Sequence, residues 1–324
     1  MQKLLSVSDD AWSMQKFCCN ADKIREFLAH NNLDGLEYIT CFEEQAAALP
    51  PEKIVGRHMP FWPAWLDFWR GNRQELLRQF GGENDLRGYY MADSLDEFIE
   101  KRRAELREGT EMGIRYAVFH VSHAQFEHCY TGKYTYTNAE IADAYADLMN
   151  EMLRGVRAEY ALLFENHWFP GLTFLDAKLA MRLLEKIDHP NKGFVLDISH
   201  LTNTNPKIQT EEEAADYILK VLDEMGEAAA YIRAIHLNSS AGAMARVLKQ
   251  KAEPPRGGSF EDRLVEAMKY VCGMDPHRPV AHPCIRRVIG RVRPDYLVYE
   301  LASSTLEELQ NAVSIQNRSV CGKG

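Results

Sequence analysis

Three observations predict a single (β/α)8 TIM barrel over residues 1–324: eight short apolar runs, amphipathic segments between them, and no linker or composition break. The length amounts to roughly two average domains, or to one barrel of about 250 residues with enlarged loops. In order, the strand-like runs are Lys3–Val7, Gly35–Thr40, Lys53–Met59, Arg115–Val121, Tyr160–Asn166, Gly193–Ser199, Ile232–Asn238 and Tyr296–Leu301. Most are continuously apolar, as strands covered on both faces of a parallel sheet should be.

The segments between them carry helix-start signals. Ser94–Glu97, Thr210–Glu213 and Ser304–Glu307 have capping-box spacing, in which a hydroxyl and a carboxylate satisfy free backbone N–H groups reciprocally. Between Asn138 and Tyr160, Ile141, Tyr145, Leu148, Met152 and Val156 recur at helical spacing. An open doubly wound sheet is the competing architecture, but no Gly-rich phosphate fingerprint follows the first strand. Two stretches interrupt the alternation and predict elaborated loops after strands 3 and 7: the aromatic Phe61–Tyr90, and Ser239–Pro279 with Pro254–Pro255 and Gly257–Gly258. Trp65, Phe68 and Trp69 suit either a helix packed on the barrel or a cap stacking on a substrate ring.

The net charge is −9 from 38 basic and 47 acidic residues, which counts against nucleic acid as a partner. No apolar run approaches the roughly 18–20 residues of a membrane span. Seven cysteines, two of them adjacent, suit a reducing compartment better than a disulfide framework, so a cytoplasmic location is expected. The composition leaves an oligomer open.

Ionisable residues recur where the apolar runs end. His58 ends the third and His120 the fourth; Glu165 ends the fifth, and Asp197 with His200 the sixth. His236 ends the seventh and Glu300 the eighth. A lone histidine there is ordinarily a packed residue. Three carboxylates at one end of a barrel repel one another, however, and a shared divalent cation is the simplest neutraliser. Glu165, Asp197, His236 and Glu300 form an oxygen-rich set suited to Mn²⁺, Mg²⁺ or Co²⁺, with Zn²⁺ or Fe²⁺ favoured if further imidazoles join. No Cys-x-x-Cys pair suggests a structural zinc site.

These motifs resemble the xylose-isomerase-like TIM barrel superfamily, which holds sugar isomerases, ketose epimerases and endonuclease IV. The resemblance implies that Glu165, Asp197, His236 and Glu300 are the metal ligands, and that His200, in the Asp-x-x-His pair, contacts substrate or a second metal. In the isomerase branch it implies a carbohydrate-like hydroxycarbonyl substrate, an enediolate, and Glu165 and Glu300 as catalytic base and acid. His58 in Arg-His-Met-Pro, His120 in Val-Phe-His, Glu165–Asn166, His236-Leu-Asn238 and Asp275-Pro-His277 resemble endonuclease IV motifs. Under that alternative, His58, His120, His200, Asp275 and His277 would complete a multinuclear phosphodiesterase site. Asp275 and His277 would otherwise simply build a turn. This chain departs from both branches. Val121-Ser122 replaces the endonuclease Pro-Gly, and Gly171 and Gly242 stand where ketose epimerases carry a Glu and an Arg. The densest basic run, Arg286, Arg287, Arg291 and Arg293, reads as the solvated face of a helix.

Overall fold

The computed structural model describes residues 1–41 and 48–321. Eight parallel strands close into one barrel in sequence order, with β8 returning to β1. They are β1 Gln2–Ser8, β2 Gly35–Ile39, β3 Ile54–His58, β4 Tyr116–His120, β5 Ala161–Glu165, β6 Lys192–Asp197, β7 Ile232–Leu237 and β8 Tyr296–Tyr299.

The helices are α1 Ala11–Gln15 and α2 Ala21–His30, before β2; α3 Leu66–Trp69, α4 Arg73–Phe80, α5 Glu83–Tyr90 and α6 Leu95–Glu111, before β4; and α7 His128–Thr131 and α8 Asn138–Leu153, before β5. Then follow α9 Ala177–Lys186, α10 Ile198–Asn203 and α11 Glu211–Met225, α12 Ala243–Leu248, α13 Phe260–Met274 and α14 Ile285–Val292, and α15 Leu306–Cys321. Among the described residues, no helix is long and apolar enough to cross a membrane.

Strand alternation explains why the ends of the strands matter. The barrel interior is filled by Leu4, Tyr116, Val118, Ala161, Leu163, Val195, Ala234, Tyr296 and Val298. Successive inward positions lie two residues apart. The next inward position after Val118 is His120. After Leu163 it is Glu165, after Val195 Asp197, after Ala234 His236 and after Val298 Glu300. The polar residues are thus the top layer of an otherwise apolar core, and burial below them fixes which way they point.

The helix starts follow the expected chemistry, with one shift. Thr210 and Glu213 form a full capping box, as do Thr137 with Glu140 and Ser259 with Asp262. Ser94 accepts from the Glu97 N–H. At α15 the box expected at Ser304–Glu307 moves one residue on. The Glu308 N–H donates to the Thr305 hydroxyl, and the Glu308 carboxylate accepts from the Ser304 N–H. Thr305-x-x-Glu308 has the same spacing and wins.

Both expected elaborations are present. After β3 the chain inserts α3–α5 around a small core that includes Ala64, Leu76, Phe80, Leu86, Tyr90 and Phe98. This decides Trp65 and Phe68 in favour of packing. Phe68 stacks on Tyr90 at 4.0 Å, and Trp65 is buried with its Nε1 donating to the Ser122 carbonyl. The α3 turn is pinned by fully buried Asp67, which accepts from Gln79, Gln125 and Tyr136. Beside it, His123 Nδ1 accepts from the Leu66 N–H. After β7, α12 and α13 precede an antiparallel bridge between Ser239 and Arg278 that carries Asp275 and His277 back to the barrel mouth. The arginine run lies on or just after α14, where Arg287 and Arg291 pair with Asp216 and Asp223 of α11.

Burial pushes the His123 ring down to about 4 from its ordinary 6.5. The folded state disfavours the charged ring, so on acidification the unfolded chain takes up that proton first. Stability is therefore expected to fall between pH 6.5 and 4, by roughly 3 kcal/mol from this group. His123→Asn retains an acceptor for Leu66, and urea unfolding across that pH range should show a correspondingly shallower loss. An identical pH profile for both chains would exclude His123 as a source.

Candidate active site

The top layer gathers around one carboxylate. Glu165, 1% exposed, lies 3.1 Å from His58 Nε2, 3.3 Å from His120 Nε2, 3.2 Å from His200 Nδ1 and 3.2 Å from His236 Nδ1. Asp197 caps α10, accepting from the His200 N–H at 2.6 Å, and its other oxygen accepts from Asn238 Nδ2 at 2.9 Å. The same Asn238 amide donates to Glu300 at 3.1 Å. Asn166 holds Asp197 from the other side through both backbone groups, donating to its carbonyl and accepting from its N–H.

Three sets of side chains bring potential metal-binding atoms within 4.8 Å of one another: Glu165, Asp197, His236 and Glu300; His58, Glu165 and His236; and His120, Glu165 and His200. The first is the tetrad expected from sequence. All three draw on Glu165. Asp275 and His277 do reach the mouth, Asp275 at 3.2 Å from His200 Nε2 and His277 at 3.7 Å from Glu300, but they join none of these sets.

Electrostatics divides the histidines into two kinds. Burial alone would lower His236, but the Glu37, Glu165 and Glu300 carboxylates outweigh it and hold the ring well above its ordinary range. Asp197, Asp275 and Glu165 do the same for His200 against its own burial. His120, by contrast, is pushed down to about 3 by burial. His167 is lowered by burial and by the neighbouring His200 and His120. Burial would raise Glu165, yet the surrounding imidazoles keep it well below the carboxylate range. Burial dominates at Asp197, pushing it up to about 7, with Glu300, Asp275 and Glu165 adding to the effect.

Sequence reasoning missed Glu37. It faces inward from β2, fully buried, with its oxygens 3.1 and 3.3 Å from His236 Nε2. It also accepts from the Tyr116 hydroxyl at 2.7 Å. One nitrogen of His236 therefore faces the carboxylates of the tetrad and the other is held by a carboxylate behind it. That arrangement is what a metal-bound imidazole needs to fix its ring and tautomer. The signal was the alternation Gly35, Glu37, Ile39 within the second strand. Of the wall of the mouth, Phe61 lies in the stretch expected either to pack or to cap, whereas His167 and Trp168 were missed. Phe61 stacks on His120 at 4.5 Å, and His167 lies at 4.1 Å from Trp168 and 4.5 Å from His200.

The two glycines that replace epimerase side chains have backbone reasons. Gly171 has φ 134° and pairs with Ser122 in an antiparallel bridge; a Cβ there would fall 2.2 Å from the Val121 carbonyl oxygen. Gly242 has φ 74° at the start of α12. Both backbone conformations favour glycine.

A family model for the xylose isomerase-like TIM barrel matches residues 74–270. Comparison with curated proteins gives no match. Among solved structures, a provisionally assigned xylose isomerase from Rhodospirillum rubrum aligns with TM-score 0.53 at 12% identity, covering 97% of this chain and 98% of its own. A protein provisionally assigned as a 3-DHS dehydratase of petrobactin synthesis from Bacillus anthracis gives 0.51 at 13%, covering 96% and 98%. The IOLI protein, whose structure holds a zinc atom, gives 0.50 at 13%, covering 98% and 96%. At these identities the likeness is one of fold.

The support behind His236 depends on Gly56, where a Cβ would fall 2.2 Å from the Tyr116 ring. Gly56→Ala is expected to displace that ring and to cost about 1–3 kcal/mol as an overpacked core. Tyr116→Phe keeps the ring but removes the donor to Glu37, with an expected loss of about 1–3 kcal/mol. Unchanged urea midpoints in both would show that this stack does not hold Glu37.

Proposed function

The chain belongs to the xylose isomerase-like TIM barrel family, and from that footing we propose that it is a divalent-metal-dependent isomerase or epimerase of a sugar or related hydroxycarbonyl compound. The observation that carries this reading is the convergence of Glu165, Asp197, His236 and Glu300 within 4.8 Å from four different strand ends. Three carboxylates and one imidazole, the latter backed by Glu37, suit Mn²⁺, Mg²⁺, Co²⁺ or Zn²⁺. Among the described residues, the tetrad is the one set that offers four ligands, which supports one ion per chain. The seven free thiols fit work in the reducing cytoplasm.

A bound divalent ion would supply Lewis-acid polarisation of adjacent substrate oxygens. The remaining chemistry belongs to side chains. Glu165 is the base that removes a carbon-bound proton and leaves the substrate as its enediolate. Glu300, 16% exposed at the rim, returns a proton on the opposite side and exchanges it with solvent. The two roles swap with the direction of reaction. His200, fixed by Asp275 at 3.2 Å and by the Asn166 carbonyl at 2.9 Å, orients a substrate oxygen. Phe61 and Trp168 narrow the mouth and limit water.

The phosphodiesterase alternative finds no phosphate-gripping surface in the arginine run, which faces α11 and α15. Cleavage of abasic DNA far above background would nevertheless favour that branch.

Two measurements test the proposal. Metal analysis of purified protein should give one divalent ion per chain, falling sharply in Glu165→Ala and Asp197→Ala with the circular dichroism spectrum retained. Full occupancy in both variants refutes the ligand assignment. During turnover, solvent deuterium should enter the carbon-bound position; isomerisation without it indicates a hydride shift and removes Glu165 and Glu300 as a proton-transfer pair.

A further inference from the structure

A cleft of about 190 Å³ runs from Glu300 and His277 toward α1, and its lining includes Ser6, Trp12, Lys16 and Ser303. It is continuous with the candidate site because Glu300 lies in both. Lys16 is half-buried in it. Its Nζ donates to the Ser303 hydroxyl at 3.3 Å, three residues beyond Glu300, and stands 4.1 Å over the Trp12 ring. Among the described residues, no carboxylate lies within ion-pair distance of this ammonium, and no arginine lines the cleft. The Ser6 hydroxyl oxygen is buried there without a hydrogen-bond partner. Asp10 and Glu308 act on this ammonium only from beyond ion-pair distance, so a partly desolvated cation with no direct ion pair, held by an aromatic face and a hydroxyl at an open cleft, matches an anionic, oxygen-rich ligand.

Building on the isomerase reading, we propose that this cleft binds an anionic arm of the substrate, a carboxylate or phosphate ester, with Lys16 as its counter-ion and Ser6 and Ser303 as hydroxyl partners. The substrate class is then an acidic or phosphorylated sugar rather than a neutral one. Lys16 determines specificity: it meets the end of the substrate remote from the exchanging proton. Trp12 positions Lys16, and its face, 57% exposed, covers the entrance.

Ligand-observed NMR at low ionic strength, with D-xylose, D-xylonate and D-xylose 5-phosphate as probes, tests this on the full chain. At least one acid should bind about tenfold more tightly than D-xylose, the factor carried by one charge-assisted contact of about 1.4 kcal/mol. The preference should weaken with added salt. Lys16→Met should bring the ratio close to one while leaving D-xylose affinity unchanged, and Lys16→Arg should keep most of it. Which acid gains identifies the arm. If neither acid outbinds D-xylose, or if the preference survives in Lys16→Met, the proposal is overturned. The readout is a binding ratio and needs no turnover. A Lys16-dependent preference with neither deuterium entry nor isomerisation of D-xylose or D-xylose 5-phosphate would leave the cleft standing and count against the isomerase reading.

Discussion

The mouth of this barrel is organised by the cost of burying charge. Glu165 is almost completely removed from water, and an isolated carboxylate in such a place would be untenable. Four imidazole nitrogens within 3.3 Å make it tenable, and each comes from a different strand or the turn that follows it. The constraint then spreads outward. His236 needs Glu37 behind it, Glu37 needs the Tyr116 hydroxyl, and the Tyr116 ring needs the empty space above Gly56. His200 in turn needs Asp275, which the long excursion after β7 delivers. A site with this much opposed charge in little water is suited to exchange protons for a cation, since each proton on an imidazole is positive charge that a metal can replace.

The fold was largely legible because a parallel barrel writes itself as continuous apolar runs. All eight runs are strands, each displaced by no more than two residues at either end. The tetrad was legible for a related reason: a carboxylate closing an apolar run is conspicuous, and alternation aims it inward. Glu37 escaped because it lies mid-strand in Gly-Leu-Glu-Tyr-Ile, where a half-buried edge strand would look the same. The Asp67 network was out of reach for another reason. Its members Asp67, Gln79, Gln125 and Tyr136 are far apart in sequence and meet only when the excursion after β3 folds onto the loop after β4. Nothing in local spacing announces that meeting. The aromatic stretch was ambiguous for want of partners, and Tyr90, Tyr145 and Ser122 are the partners that decide it.

The two loop excursions divide the labour around the mouth. The β3 excursion is stiff, with its own apolar core and a buried carboxylate, and from it Phe61 lies flat against His120. The β7 excursion packs Phe260 against Phe80, closes at the Ser239–Arg278 bridge, and supplies polar side chains to the mouth. Between them on the rim, the β1 side is open and carries hydroxyls and an ammonium. One wall therefore excludes water, another feeds charge to the imidazoles, and the third is left for recognition.

The stitch between Ser122 and Gly171 has a bearing on how such an enzyme changes over time. Two neighbouring loops touch backbone to backbone there, so no side chain can be placed at position 171 without moving main chain. The main chain of both loops would have to part first, opening the β4–β5 rim, and any intermediate would be less stable than either end point. Side chains vary more freely on the β1 side, where Ser6, Trp12, Lys16 and Ser303 line an open cleft.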